Sequence, residues 1–97
     1  MTRAELIHRS EEYIRDCLRH HLGDDVPIYV FGSRARGDAA WHADYDLWID
    51  ADVPTSTLAS IEEEIAESFV PFEVDLVTTA QLEGAFGERV RAEARRW

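Results

Sequence analysis

Asp44 and Asp46 stand one residue apart in "ADYDLWID", residues 43–50, and Asp75 follows in "FEVDLV", residues 72–77. Side chains alternate along a strand, so on a β segment Asp44 and Asp46 project from one face, about 7 Å apart. Asp75 faces the same way if its neighbours Val74 and Leu76 turn into a core. Three carboxylates on one surface repel one another, which raises their pKa values and costs stability. A divalent cation reverses the sign of that interaction, and hard oxygen ligands are what Mg²⁺ prefers. Two such ions, roughly 4 Å apart, activate an attacking hydroxyl and stabilise the leaving oxygen of an in-line phosphoryl displacement.

Such chemistry needs a phosphate cradle, and "GSRARG", residues 32–37, offers one. Gly32 lets the backbone turn tightly and approach an anion, Ser33 supplies a hydroxyl, and exposed N–H groups make an anion nest. Arg34, and less so Arg36, is a candidate for a bidentate phosphate contact. Gly32 and Gly37 have P-loop spacing, yet Asp38 and Ala39 stand where Lys and Ser or Thr are required, so a P-loop is excluded.

The elements that must position these groups alternate. Thr2 and Glu5 make a capping box for a helix over 2–22, with Leu6, Ile7, Tyr13, Ile14, Cys17, Leu18 and Leu22 at helical spacing and Gly23 as the stop. Strands are expected at 28–31, 45–50 and about 73–78. Residues 32–43 read as a loop holding at most a helical turn. A second helix spans about 57–69, and Thr78 with Gln81 caps a last helical region carrying Leu82, Phe86 and Val90. This order predicts an α/β (α+β) domain, a small mixed three-stranded sheet with helices packed on one face. The other face is left open, and the acids point from it.

The chain has 97 residues, room for one domain (1–97) and one core. Its formal net charge is -10, from 20 acidic and 10 basic residues, all of the latter Arg. The absence of lysine excludes Schiff-base chemistry. So acidic a surface argues against direct nucleic-acid binding and favours metal cations or a basic partner. No apolar run reaches membrane-span length, "TRAEL" after Met1 carries no secretory signal, and the single Cys17 fits a reducing cytoplasm. The four histidines show no metal-ligand spacing and no pairing with Cys17, so no zinc site is expected. His42 lies beside the Asp pair. Trp41, Tyr45 and Trp48 could stack on a base, although packing is the commoner fate of such residues. "RVRAEARRW", residues 89–97, reads as a basic helix end.

"GSRARGDAAWHADYDLWID" followed by "FEVDLV" resembles the signature of the nucleotidyltransferase superfamily that includes DNA polymerase β, and most of all its minimal branch. That pattern is an apolar strand ending in Gly-Ser, an Asp-x-Asp pair on the next strand, and a third Asp on the strand after. Several relatives carry Ser where this chain has Ala43, a position that is not a metal ligand. The resemblance implies that Asp44 and Asp46 hold two Mg²⁺ ions and that Asp75 holds the catalytic one and helps deprotonate the acceptor. It further implies that Ser33, with nearby backbone such as Gly32, binds the β- and γ-phosphates of ATP or another nucleoside triphosphate, beside the candidate phosphate contact of Arg34, with transfer of the nucleoside monophosphate to a hydroxyl. Larger relatives add a helical domain that is not expected here. Minimal members typically pair with a helical HEPN-type protein in a toxin–antitoxin module, where the nucleotidyltransferase is the antitoxin and adds AMP to a tyrosine of an RNase toxin. A catalytically inactive antitoxin that neutralises by binding alone is the alternative.

Overall fold

The computed structural model describes all residues, 1–97. Helix α1 covers Arg3–Leu22. Thr2 accepts the Glu5 N–H at 3.1 Å, while the Glu5 carboxylate accepts the Thr2 N–H at 3.4 Å, which satisfies donors that a helix start otherwise leaves bare. Strand β1 (Ile28–Phe31) leads into a single helical turn, α2 (Ser33–Arg36), and then β2 (Tyr45–Ile49). Helix α3 (Thr55–Ala66) starts directly after Pro54 and ends three residues short of the expected 69. Phe69 lies beyond it, largely exposed, with its ring edge on Tyr13. Strand β3 (Val74–Thr78) is followed by a 3₁₀ turn at Thr79–Gln81, capped by Thr78 and Gln81 as expected, then by α4 (Gly84–Glu93) and a two-residue strand β4 (Arg95–Arg96).

The sheet is mixed, in the order β3-β2-β1-β4. Strand β1 runs antiparallel to β2 and β4, whereas β2 and β3 are parallel. Alternation sends Tyr45, Leu47, Ile49, Val74 and Leu76 to one face, where α1 and α3 cover them with Ile14, Leu18, Leu58, Ile61 and Ile65. Removing each such aliphatic side chain from water contributes about 1.5–3 kcal/mol.

Two expectations change. The sheet has four strands rather than three, because the chain turns at Ala94 and returns along β1, pairing Arg96 with Tyr29. Nor are the helices confined to one face. Helix α4 lays Val90 on the opposite face, together with Leu82, against Phe31 and the half-buried Trp48 and Val77. Leu82, just before α4, and Val90 on it bury their side chains on this face. The part left uncovered holds Asp46 and Asp75.

Candidate active site

The parallel register sets Asp46 directly across from Asp75, with Tyr45 opposite Val74 on one side and Leu47 opposite Leu76 on the other. Those flanking apolar pairs turn into the core, so the two aspartates share the outer face, on strands about 4.8 Å apart. Asp44 sits just before β2, exposed, near enough for its charge to act on Asp46. The Asp46 carboxyl is held above its ordinary value, first by burial, then by Asp75 and Asp44, with Arg36 and Arg89 working the other way.

Backbone from β1 closes over this carboxylate. A Cβ at Gly32 would stand 2.6 Å from Asp46 Oδ2, and the Gly32 φ of +74° lies where L side chains are strained. Only glycine fits. Ser33 follows at the first position of α2, where N–H groups have no acceptor inside the helix. The Gly32 N–H itself donates to Glu93 Oε2 at 3.0 Å. The other Glu93 oxygen takes Arg36 Nη1 at 3.0 Å, and Arg36 Nε reaches Asp38 at 3.2 Å. Glu93 thereby ties the end of α4 to the turn after β1.

Gly32, Ser33, Asp46 and Asp75 line an open cleft of about 470 Å³, with Phe86 and Arg89 from α4 on its other wall. Arg89 forms no ion pair there; its guanidinium lies 5.7 Å from the Phe86 ring. Phe86, Arg89 and Glu93 escaped the sequence reading, which treated this segment as core spacing and a basic helix end. Their i, i+3, i+7 spacing, which puts all three on one helical face, was the available signal.

Arg34 does not join the cleft, contrary to expectation. Its Nη2 donates to the Ala43 carbonyl at 2.7 Å and the Trp41 carbonyl at 2.9 Å, and its guanidinium lies 3.8 Å from the Tyr45 ring on the helix-covered side. The first turn of α2 points position 34 away from Asp46, and the carbonyls of the 38–44 loop take its donors. The aromatics also lie elsewhere. Tyr45 is buried, with its hydroxyl on Glu11 at 2.7 Å; Trp48 stacks on Tyr29 and donates to Thr79 at 3.0 Å; Trp41 sits under Arg3. His42 lies edge-on to Trp41. Phe86 is the exposed ring at the site.

With carboxylate oxygens as its only anionic donors around Asp46, and with the like charges already straining Asp46, the site suits a hard cation such as Mg²⁺. Residues 11–97 match the nucleotidyltransferase domain family. The chain belongs to that family. Among relatives of this nucleotidyltransferase is the probable protein adenylyltransferase MntA of Haemophilus influenzae, 35% identical over 91 residues, which are 91% of this chain and 80% of that protein. The protein adenylyltransferase MntA of Thermococcus cleftensis is 37% identical over 67 residues, 68% of either chain. Among solved structures, the fold is shared with a toxin–antitoxin complex with AMP-PNP (TM-score 0.72, 23% identity, 90% of this chain and 72% of that one). It is shared too with the tri-AMPylated Shewanella oneidensis HEPN toxin in complex with MNT antitoxin (TM-score 0.67, 21% identity, 94% of this chain and 71% of that one).

A second cluster lies on the far side of the sheet and corrects the expectation that no histidine pairs with Cys17. Cys17 and His21 are one helical turn apart on α1, and both reach Glu64 of α3. The Cys17 thiol is pushed up to about 12 by burial and, after that, by Glu64.

Proposed function

We propose that this nucleotidyltransferase transfers AMP from ATP to a tyrosine hydroxyl of a HEPN-type RNase toxin, with Mg²⁺ as its metal, and acts as that toxin's antitoxin. The observation that carries this reading is the register of Asp46 opposite Asp75 on the floor of the Gly32–Ser33 cleft. The likeness to MntA over nine-tenths of the chain points the same way. Asp44, Asp46 and Asp75 would hold the Mg²⁺ ions, which when bound polarise the phosphoryl oxygens and offset the charge of the triphosphate.

The remaining work falls to the protein's own groups. Ser33, with its hydroxyl and N–H, and Arg89, as an unpaired guanidinium across the cleft, bind the terminal phosphates through charge-assisted hydrogen bonds. Phe86 offers an apolar wall beside them. Asp75, the more exposed of the paired carboxylates, faces the incoming hydroxyl and accepts its proton. The bond from the tyrosine oxygen to the α-phosphorus forms as the bridge to the β-phosphate breaks, and pyrophosphate leaves. The acidic surface suits a basic partner, to which it adds association rate more than affinity.

Peptide mapping by mass spectrometry, after incubation of a HEPN-type partner with the enzyme and MgATP, tests this. One or more AMP units on a partner tyrosine, absent with Asp44→Ala or Asp46→Ala, is the expected result. A tight complex that never gains AMP from any nucleotide would instead describe an antitoxin that acts by binding alone.

A further inference from the structure

Cys17, His21 and Glu64 offer three metal-binding atoms that all lie within 4.8 Å of one another. No other trio of His, Cys, Asp or Glu side chains in the chain is drawn together so closely, and the active-site carboxylates are not. Helical geometry makes the first pair: positions 17 and 21 of α1 are i and i+4, one above the other on the same face. The third comes from α3, which packs alongside α1 over the shared core. Glu64 Oε2 meets both partners, the Cys17 thiol and, at 3.0 Å, His21 Nε2.

The thiol, the imidazole and the carboxylate oxygen that meets both converge on one point, where a cation of charge +2 can replace the protons they share. We infer that Cys17, His21 and Glu64 form a binding site for a thiophilic divalent transition-metal ion of the Zn²⁺ type. Thiolate sulfur, imidazole nitrogen and carboxylate oxygen together form a zinc donor set, whereas Mg²⁺ takes oxygen. Three protein ligands leave a fourth position for water. The cleft beside the cluster, about 210 Å³ and flanked by Tyr13, Asp16 and His20, gives that water and the ion a path from solvent. Cys17 is 7% exposed, so its sulfur lies at the inner end of this path, with the exposed His21 and Glu64 outside it.

This centre is separate from the catalytic one. Helices α1 and α3 cover the sheet face opposite to Asp46 and Asp75. The two sites also sort metals by donor type, sulfur and nitrogen on one side and oxygen alone on the other. A bound ion bridges α1 to α3, so it stabilises the folded chain in proportion to its occupancy. It also releases the protons that the thiol and any protonated imidazole carry.

Titration of the metal-free protein with CoCl₂ tests the site directly, because a thiolate bound to Co²⁺ gives a near-ultraviolet charge-transfer band that oxygen ligands do not. The expected result is a band that saturates at one Co²⁺ per chain, is bleached by ZnCl₂, and is matched by a rise in thermal midpoint with ZnCl₂ alone. Cys17→Ser abolishes the band. His21→Ala and Glu64→Gln, both at exposed positions and compatible with folding, each weaken Co²⁺ binding at least tenfold. Asp46→Asn leaves the band unchanged. Absence of a charge-transfer band in the folded wild type overturns the inference, as does a band that keeps its full intensity and midpoint in both His21→Ala and Glu64→Gln, or a band lost in Asp46→Asn.

Discussion

Asp46 sits where its ionised form is disfavoured. Its folded pKa is raised above the ordinary 3.8 by burial and by two facing carboxylates. The folded state therefore holds the proton more tightly than the unfolded one. The associated stability is present at low pH and is lost as pH rises from the unfolded value through the raised folded one. At neutral pH the ionised group opposes folding, so Asp46→Asn in metal-free protein should raise stability by about 1 kcal/mol, a typical gain from relieving a functional site. That corresponds to about 4–8 °C in thermal midpoint for a domain of this size. Calorimetry across pH checks it: the variant gains most near neutrality and nothing in acid, while losing AMP transfer. The two arginines near the turn should part company. Arg89→Ala, which removes an unpaired cation from the cleft wall, is expected to raise the KM for ATP at least tenfold while lowering the midpoint far less than Arg34→Ala does. Arg34→Ala strips the Ala43 and Trp41 carbonyls of a charged donor and the Tyr45 ring of its cation. Its effect is a loss of about 1.5–3 kcal/mol of stability with the KM for ATP unchanged. Steady-state kinetics beside thermal melts separate the two.

At the scale of elements, β4 is the piece to test. Arg96 pairs with Tyr29, the Trp97 N–H donates to the Ile28 carbonyl at 2.9 Å, and the Trp97 ring packs on Tyr45 under Arg15. Trp97→Ala should cost about 1–2 kcal/mol, since the ring is only half-buried. Amide exchange should then quicken at Tyr29 and Arg96, and a midpoint equal to wild type would contradict this. The strand was illegible because two arginines and a terminal tryptophan carry no alternation, and its pairing depends on where α4 leaves the chain. Elements with internal patterning were legible: β1 at 28–31, the Asp46 and Trp48 face against the Tyr45, Leu47 and Ile49 face, and the Thr2–Glu5 cap. For the candidate cleft, the strand period predicts only that Asp46 and Asp75 turn away from the core; the parallel β2–β3 register sets them side by side, and Arg89, Phe86 and Glu93 reach them through the packing of α4. The Cys17–His21 spacing was present in the sequence, but its partner Glu64 comes from a helix 43 residues away.

The whole molecule carries a net charge of -10. No helix is long and apolar enough to cross a membrane. A partner approaching this surface is steered by charge over roughly 8–10 Å at physiological salt. The association rate with a basic HEPN-type protein should therefore fall at least tenfold between low and about 0.5 M NaCl, with dissociation much less affected; stopped-flow mixing reads both. The central claim is that the carboxylates on the outer face of β2 and β3 drive nucleotidyl transfer. The most direct measurement is pyrophosphate release in a single turnover with MgATP and a HEPN-type partner. The wild type should release pyrophosphate in step with AMP gained by the partner, and Asp46→Asn and Asp75→Asn, folded and still bound to the partner, should release none. Release that continues undiminished in both variants would contradict the account.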